Sequence, residues 1–165
     1  MKVFVSGFMA AGKTTVGREL ALRLDLPFVD LDEWTERRAA KTVAEIFATA
    51  GEEAFRQLES RELARVIELE AAVTALGGGT LLRRENLERV RRAGTLVWLD
   101  TPRSTILSRL PGSGATRPLW SDAERAARLF DERLPTYRQC DLRVRPRTGE
   151  PACEVAARIA RRIKR

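Results

Sequence analysis

Gly7-Phe8-Met9-Ala10-Ala11-Gly12-Lys13-Thr14 is the stretch from which the rest of this chain is read. It fits G-x-x-x-x-G-K-[ST]. The run Val3–Ser6 before it is short and β-rich. After it, from about Lys13, apolar residues recur at Val16, Leu20 and Leu24, the spacing of one helix face. A strand, a glycine-rich turn and a helix start thus follow one another. Glycines let several backbone N–H groups point at one phosphate chain, and the helix N-terminus adds partial positive charge there. Ala10, Ala11, Gly12, Lys13, Thr14 and Thr15 are therefore the candidate phosphate contacts. Lys13 reaches the outer phosphates and the Thr14 hydroxyl suits Mg²⁺. A turn that merely caps a helix leaves unexplained why one of only four lysines sits there.

Outward from this loop, strands and helices alternate. Phe28–Asp30, Ala72–Leu76, Thr95–Leu99 and Asp141–Arg145 read as further strands. A largely helical stretch runs from about Glu33 to Glu70, with a break expected near Gly51. Helices are also expected over Asn86–Arg92, from Pro102 to Pro111, from about Asp122 to Arg138, and over Pro151–Arg162. The pattern predicts a single α/β domain over residues 1–165, with a five-stranded parallel sheet covered by helices on both faces. Ligands of such sheets bind beyond the C-terminal ends of the strands. Gly7, Asp30 and Gly77 fall at those ends. Residues 111–118, with small residues between two prolines, predict a mobile loop.

Composition narrows the chemistry. The chain has 165 residues and no histidine, which excludes histidine-based nucleophilic catalysis and histidine metal sites. Two cysteines without C-x-x-C spacing read as ordinary thiols. Acid–base work falls to carboxylates, and charge stabilisation to Lys, Arg or an oxygen-bound metal. The net charge of +7 suits anionic partners. The arginine clusters at 83–92 and 158–165 lie on expected helices with no interleaved aromatic residues, which argues against a single-strand nucleic-acid binder. The apolar runs fall far short of a membrane span and no secretory signal is visible, so a cytoplasmic location is the expectation.

Several residues carry two readings each. Asp30 and Asp32 flank Leu31 after the second strand. They read as a metal-holding and hydroxyl-orienting pair, or as helix N-caps. Arg56, three residues from both Glu53 and Glu59, reads as a ligand contact or as part of a surface ion-pair ladder. Gly77-Gly78-Gly79 removes side chains at a strand end, for close approach or for a flexible turn. Arg117 and Arg133 are uninformative in isolation.

Together these residues resemble the shikimate kinase family. The resemblance rests on Gly7–Thr15 with Val16-Gly17-Arg18, Asp30-Leu31-Asp32, Ile46-Phe47, Gly51-Glu52 and Phe55-Arg56 with Glu59. It continues through Ala75-Leu76-Gly77-Gly78-Gly79, Arg117-Pro118-Leu119 and Arg133-x-Pro135-x-Tyr137. It spans nearly the whole chain, and the later motifs are far more specific than the phosphate loop. It implies a P-loop NTPase-type three-layer α/β/α fold with a substrate-binding helical region at about 31–61 and a mobile lid at about 111–122. It implies transfer of the ATP γ-phosphate to the 3-hydroxyl of shikimate, in chorismate and aromatic amino-acid biosynthesis.

The implied roles are specific. Lys13 and the loop amides hold phosphates, and Thr14 holds Mg²⁺ with Asp30 in its outer shell. Asp32 meets the reacting hydroxyl. Arg56 and Arg133 grip the shikimate carboxylate, with Gly77, Gly78 and Gly79 against the ring. Arg117 reaches the phosphates from the lid. The loop departs from the family in reading Ala10-Ala11 where a glycine is frequent. Arg109 is a further candidate nucleotide contact, and the match is loose at Arg147–Pro151. The rival readings are a kinase of gluconate or a nucleoside, against which the shikimate-type motif set decides, and a nucleotide switch or basic nucleic-acid binder. Intact Lys13, Thr14, Asp30 and Asp32 argue against a dead site. The expected partners are two small molecules, with no nucleic acid and no membrane. A monomer is the expected state.

Overall fold

Both faces of the central strand are buried, so its sequence is apolar from Val3 through Val5 rather than alternating. That strand, β1 (Lys2–Ser6), pairs in parallel with β3 (Ala72–Ala75) and β4 (Thr95–Leu99). The outer strands are β2 (Phe28–Asp30), beside β3, and β5 (Leu142–Val144), beside β4. The order is β2-β3-β1-β4-β5, a five-stranded parallel sheet. The computed structural model describes residues 1–109 and 123–163. The expected lid at 111–122, with Arg117, lies outside the described residues.

Alternation along β1 divides the core. Val3 and Val5 join Val73, Val97 and Leu99 under α1 (Lys13–Leu24) and α7 (Ala152–Ile163), through Val16, Leu20, Val155 and Ile159. Phe4 and Leu96 face the other way, against Leu63 and Val66 of α3 (Val43–Ile67) and Leu87 and Val90 of α4 (Arg84–Ala93). Each large side chain so buried contributes about 1.5–3 kcal/mol. A third cluster, Phe8, Met9, Trp98, Ile106 and Tyr137, seats α5 (Arg103–Arg109) and α6 (Ala123–Tyr137). Helices thus cover both faces, as the alternating pattern predicts. Among the described residues, no helix is long and apolar enough to cross a membrane.

The long helical stretch differs from expectation. It is two helices, α2 (Leu31–Ala39) and α3, as well as the break at Gly51, where φ is 82°. Ala40 ends α2 in the left-handed region, and Thr42 opens α3 with a reciprocal capping box to Glu45. A short 3₁₀ turn at Thr80–Leu82, not anticipated, follows the triple glycine. Gly7 has φ 146°, and a Cβ there would lie 2.8 Å from the Leu99 carbonyl oxygen. Only glycine lets the chain leave β1 so close to β4.

Candidate active site

The phosphate loop is held from outside as well as within. Gly12, at φ 94°, precedes α1, whose first turn takes no side-chain cap. A helix start of that kind attracts an anion. The buried Thr101 hydroxyl donates to the Ala11 carbonyl at 2.8 Å, and Arg109 Nη1 donates to the Ala10 carbonyl at 3.1 Å. Lys13 Nζ donates to the Phe8 carbonyl at 3.0 Å. Ala10 itself sits at φ 57°. Alanine adopts that left-handed conformation at a cost of about 1–2 kcal/mol that a glycine would not bear.

These residues line a cavity of about 650 Å³ together with Thr14, Thr15, Thr105 and the loop 146–150. That loop is anchored at both ends. Arg143 and Arg145 converge on the buried Asp100 carboxylate, at 2.6 and 3.0 Å. Glu150 accepts from the Arg147 amide at 2.8 Å and from Arg158 at 2.7 Å. The Arg147 N–H, then Arg158, holds the Glu150 carboxyl below its usual range. The match to the resemblance at Arg147–Pro151 is loose, yet the loop faces the phosphate cavity.

The two readings of the carboxylate pair meet in Asp30. Its Oδ1 caps α2, accepting from the amides of Asp32 at 3.0 Å and Glu33 at 3.3 Å. Its Oδ2 accepts from the Thr14 hydroxyl at 2.6 Å. Because Asp30 caps α2 directly, strand geometry does not persist to Asp32. Asp32 lies in the first turn of α2 instead, and both carboxylates still face the cavity. Thr14 and Asp30 therefore present two oxygens suited to a hydrated Mg²⁺. No group of three or more acidic or cysteine ligands that could hold a metal occurs among the described residues.

A second cavity, of about 450 Å³, adjoins the first and shares Thr14, Asp30 and Asp32 with it. Its walls include Arg56, Glu59, Gly77, Gly78, Gly79 and Arg133. Arg56 is drawn inward from the surface, although its Nη2 also meets the exposed Glu52 Oε1 at 3.5 Å. Its side chain is 14% exposed and Nη1 bonds Glu59 Oε2 at 2.9 Å. Glu59, buried, also accepts from the Thr80 hydroxyl at 2.6 Å. Glu53 turns away to Arg83 and Gln57. The Phe47 and Phe55 rings, 4.9 Å apart, form an apolar side to the cleft.

Close approach, not flexibility, explains the three glycines. A Cβ on Gly77 would lie 2.8 Å from Asp32 Oδ1, and one on Gly79 2.7 Å from Arg56 Nη2. One on Gly78 would lie 3.3 Å from both Arg133 Nη1 and the Met9 amide nitrogen.

Arg133 is the most demanding residue of the site. It is 2% exposed, its guanidinium lies 5.5 Å from the Phe8 ring centre, and its Nε and Nη1 have no hydrogen-bond partner among the described residues. A buried cation with unsatisfied donors costs several kcal/mol unless an anion completes it. A planar carboxylate fits the guanidinium fork best.

The sequence candidates are thus brought together, apart from Arg117, which lies outside the described residues. From sequence, Thr101 and Thr105 had no place in the site, and Glu59, named beside Arg56, had no supporting role of its own. Thr101 had a signal, since it follows the C-terminal end of β4.

A profile of the shikimate kinase family matches residues 9–164. A shikimate kinase of Symbiobacterium thermophilum is 46% identical over 143 residues, covering 84% of this chain and 82% of the relative. One from Rhodopseudomonas palustris is 43% identical over 148 residues, covering 88% and 72%. The solved shikimate kinase of Acinetobacter baumannii in complex with shikimate superposes with a TM-score of 0.94 at 33% identity, covering 99% of this chain and 92% of that one. Profile, relatives and superposition agree with the paired cavities and their motif residues: the chain belongs to the shikimate kinase family.

Proposed function

We infer that this protein carries out the family's reaction, transferring the ATP γ-phosphate to the 3-hydroxyl of shikimate to give shikimate 3-phosphate and ADP. The carrying observation is that two adjoining cavities, one on the phosphate loop and one on Arg56 and Arg133, share Thr14, Asp30 and Asp32. A phosphoryl group moves between two substrates only where both can reach one point.

The loop amides and Lys13 bind the donor phosphates. Thr14 and Asp30 would hold Mg²⁺, which when bound neutralises charge on the phosphate chain. Asp32 orients the acceptor hydroxyl and takes its proton. Arg56 and Arg133 bind the shikimate carboxylate from two sides, with the ring against Gly77–Gly79. Arg117, by the family resemblance, adds positive charge at the phosphates. Residues 31–61 then serve as the acceptor-binding region. The reading is that of a monomeric cytoplasmic enzyme acting on two small molecules. The direct test is the product. Phosphorus–proton coupling in its NMR spectrum is expected at the C3 proton of shikimate. Coupling at another carbon would place the acceptor wrongly in the cleft.

A further inference from the structure

Tyr137 is the one tyrosine in the chain. It lies one helical turn after Arg133 on α6, on the same face. Its ring is buried and stacks on Trp98, with centroids 6.1 Å apart and planes 25° apart. The Arg143 guanidinium lies 4.9 Å from the Trp98 ring centre. The stack leaves the phenol little freedom to turn. Its hydroxyl donates to the Gly78 carbonyl at 2.5 Å.

We propose that Tyr137 is a positioning residue for the acceptor: its hydroxyl sets the orientation of the Gly78–Gly79 peptide, and so the shape of the shikimate cleft. A trans peptide is planar, with its N–H opposed to its carbonyl. Fixing the Gly78 carbonyl on Tyr137, at the core, therefore turns the Gly79 N–H away from the core, in a residue that lines the cleft beside Arg56. A glycine peptide left to itself populates many orientations. The three glycines admit the substrate closely, and the tyrosine removes the freedom they would otherwise carry. One side of α6 then does two things, with Arg133 meeting the carboxylate and Tyr137 holding the floor beneath it. The inference rests on the shikimate reading of this cleft.

The phenol stays a donor across the working range. Burial pushes it up to about 12, against the opposing pull of the Arg133 guanidinium, by its charge and by a side-chain hydrogen bond to the phenol, and of the Arg56 charge. The Cys140 thiol, which belongs to the same cluster, is also pushed up by burial.

The test is Tyr137→Phe, which keeps the ring and removes the donor. The KM for shikimate is expected to rise about tenfold, as for one lost buried hydrogen bond, while the KM for ATP stays within about twofold. Unchanged constants, or a parallel rise in both, would overturn the proposal. Fluorotyrosine incorporation labels this position alone, and it decides the matter should the Phe variant fold poorly. The fluorinated phenol ionises at lower pH and then cannot donate. The ratio of its shikimate KM to that of the ordinary protein should climb with pH, with Arg56, Arg133, Arg143 and Cys140 common to both. A flat ratio across its ionisation contradicts the proposal. Lack of shikimate turnover in the unsubstituted protein would instead strike the functional reading itself.

Discussion

Asp30 joins the two halves of the site: one carboxylate oxygen caps α2 and the other accepts from the Thr14 hydroxyl at 2.6 Å. The two duties separate chemically. Asparagine caps a helix about as well as aspartate, but it lacks the charge that a hydrated cation requires. Asp30→Asn should therefore leave the melting temperature nearly unchanged and raise the Mg²⁺ concentration for half-maximal rate about tenfold, equivalent to about 1.4 kcal/mol. A magnesium titration of the initial rate, paired with a thermal melt, checks both halves.

Asp32 shares both cavities. Asp32→Asn should reduce kcat by about 10²–10⁴-fold, the range of a positioned general base, with ADP affinity by calorimetry retained. Full activity in this variant would remove Asp32 from the role of orienting and deprotonating the hydroxyl.

Arg133→Lys replaces a planar fork with a point charge. The lost charge-assisted bonds, about 1.5–3 kcal/mol, predict a shikimate KM raised about 10–100-fold. Gly79→Ala should act on the same constant for a different reason. Its Cβ would displace the Arg56 guanidinium, a flexible group that moves without unfolding the protein. In both variants the ATP KM should stay put, and steady-state rates at varied concentrations of each substrate separate the effects.

Alkaline pH should weaken the fold through Tyr137. Its folded value of about 12 lies above its ordinary value of 10.0. Unfolding is therefore favoured as the unfolded phenol ionises while the folded one does not. Stability from this group is fully present below pH 10 and is lost as pH rises from 10 through 12, by about 2–3 kcal/mol. Chemical denaturation across that window should show the loss in the native chain, and Tyr137→Phe should lack it.

The fold was legible where the pattern is local. The phosphate loop, the five strands and the helices on both faces follow from apolar spacing and from the placement of glycine and proline. The break between α2 and α3 was half legible. Thr42 and Glu45 form a readable capping pair, but Ala40 adopts a left-handed conformation that nothing in its sequence announces.

In the site, sequence spacing placed Arg56 equally near Glu53 and Glu59. The choice of Glu59 follows from Thr80, which is distant along the chain and meets it at 2.6 Å. Arg133 and Tyr137 gain their meaning from burial against Gly78, a contact that only the packing of α6 creates. Long-range contacts of that kind leave no trace in residue spacing, and here the family motifs supplied Arg133 when spacing did not.

The most direct measurement is ADP release by the purified protein with Mg²⁺ and ATP, comparing shikimate with gluconate, a nucleoside and no acceptor. The account predicts shikimate-dependent turnover at about 1–100 s⁻¹, with the other acceptors near the background rate. A folded, ATP-binding protein that releases ADP no faster with shikimate than without it would contradict the account.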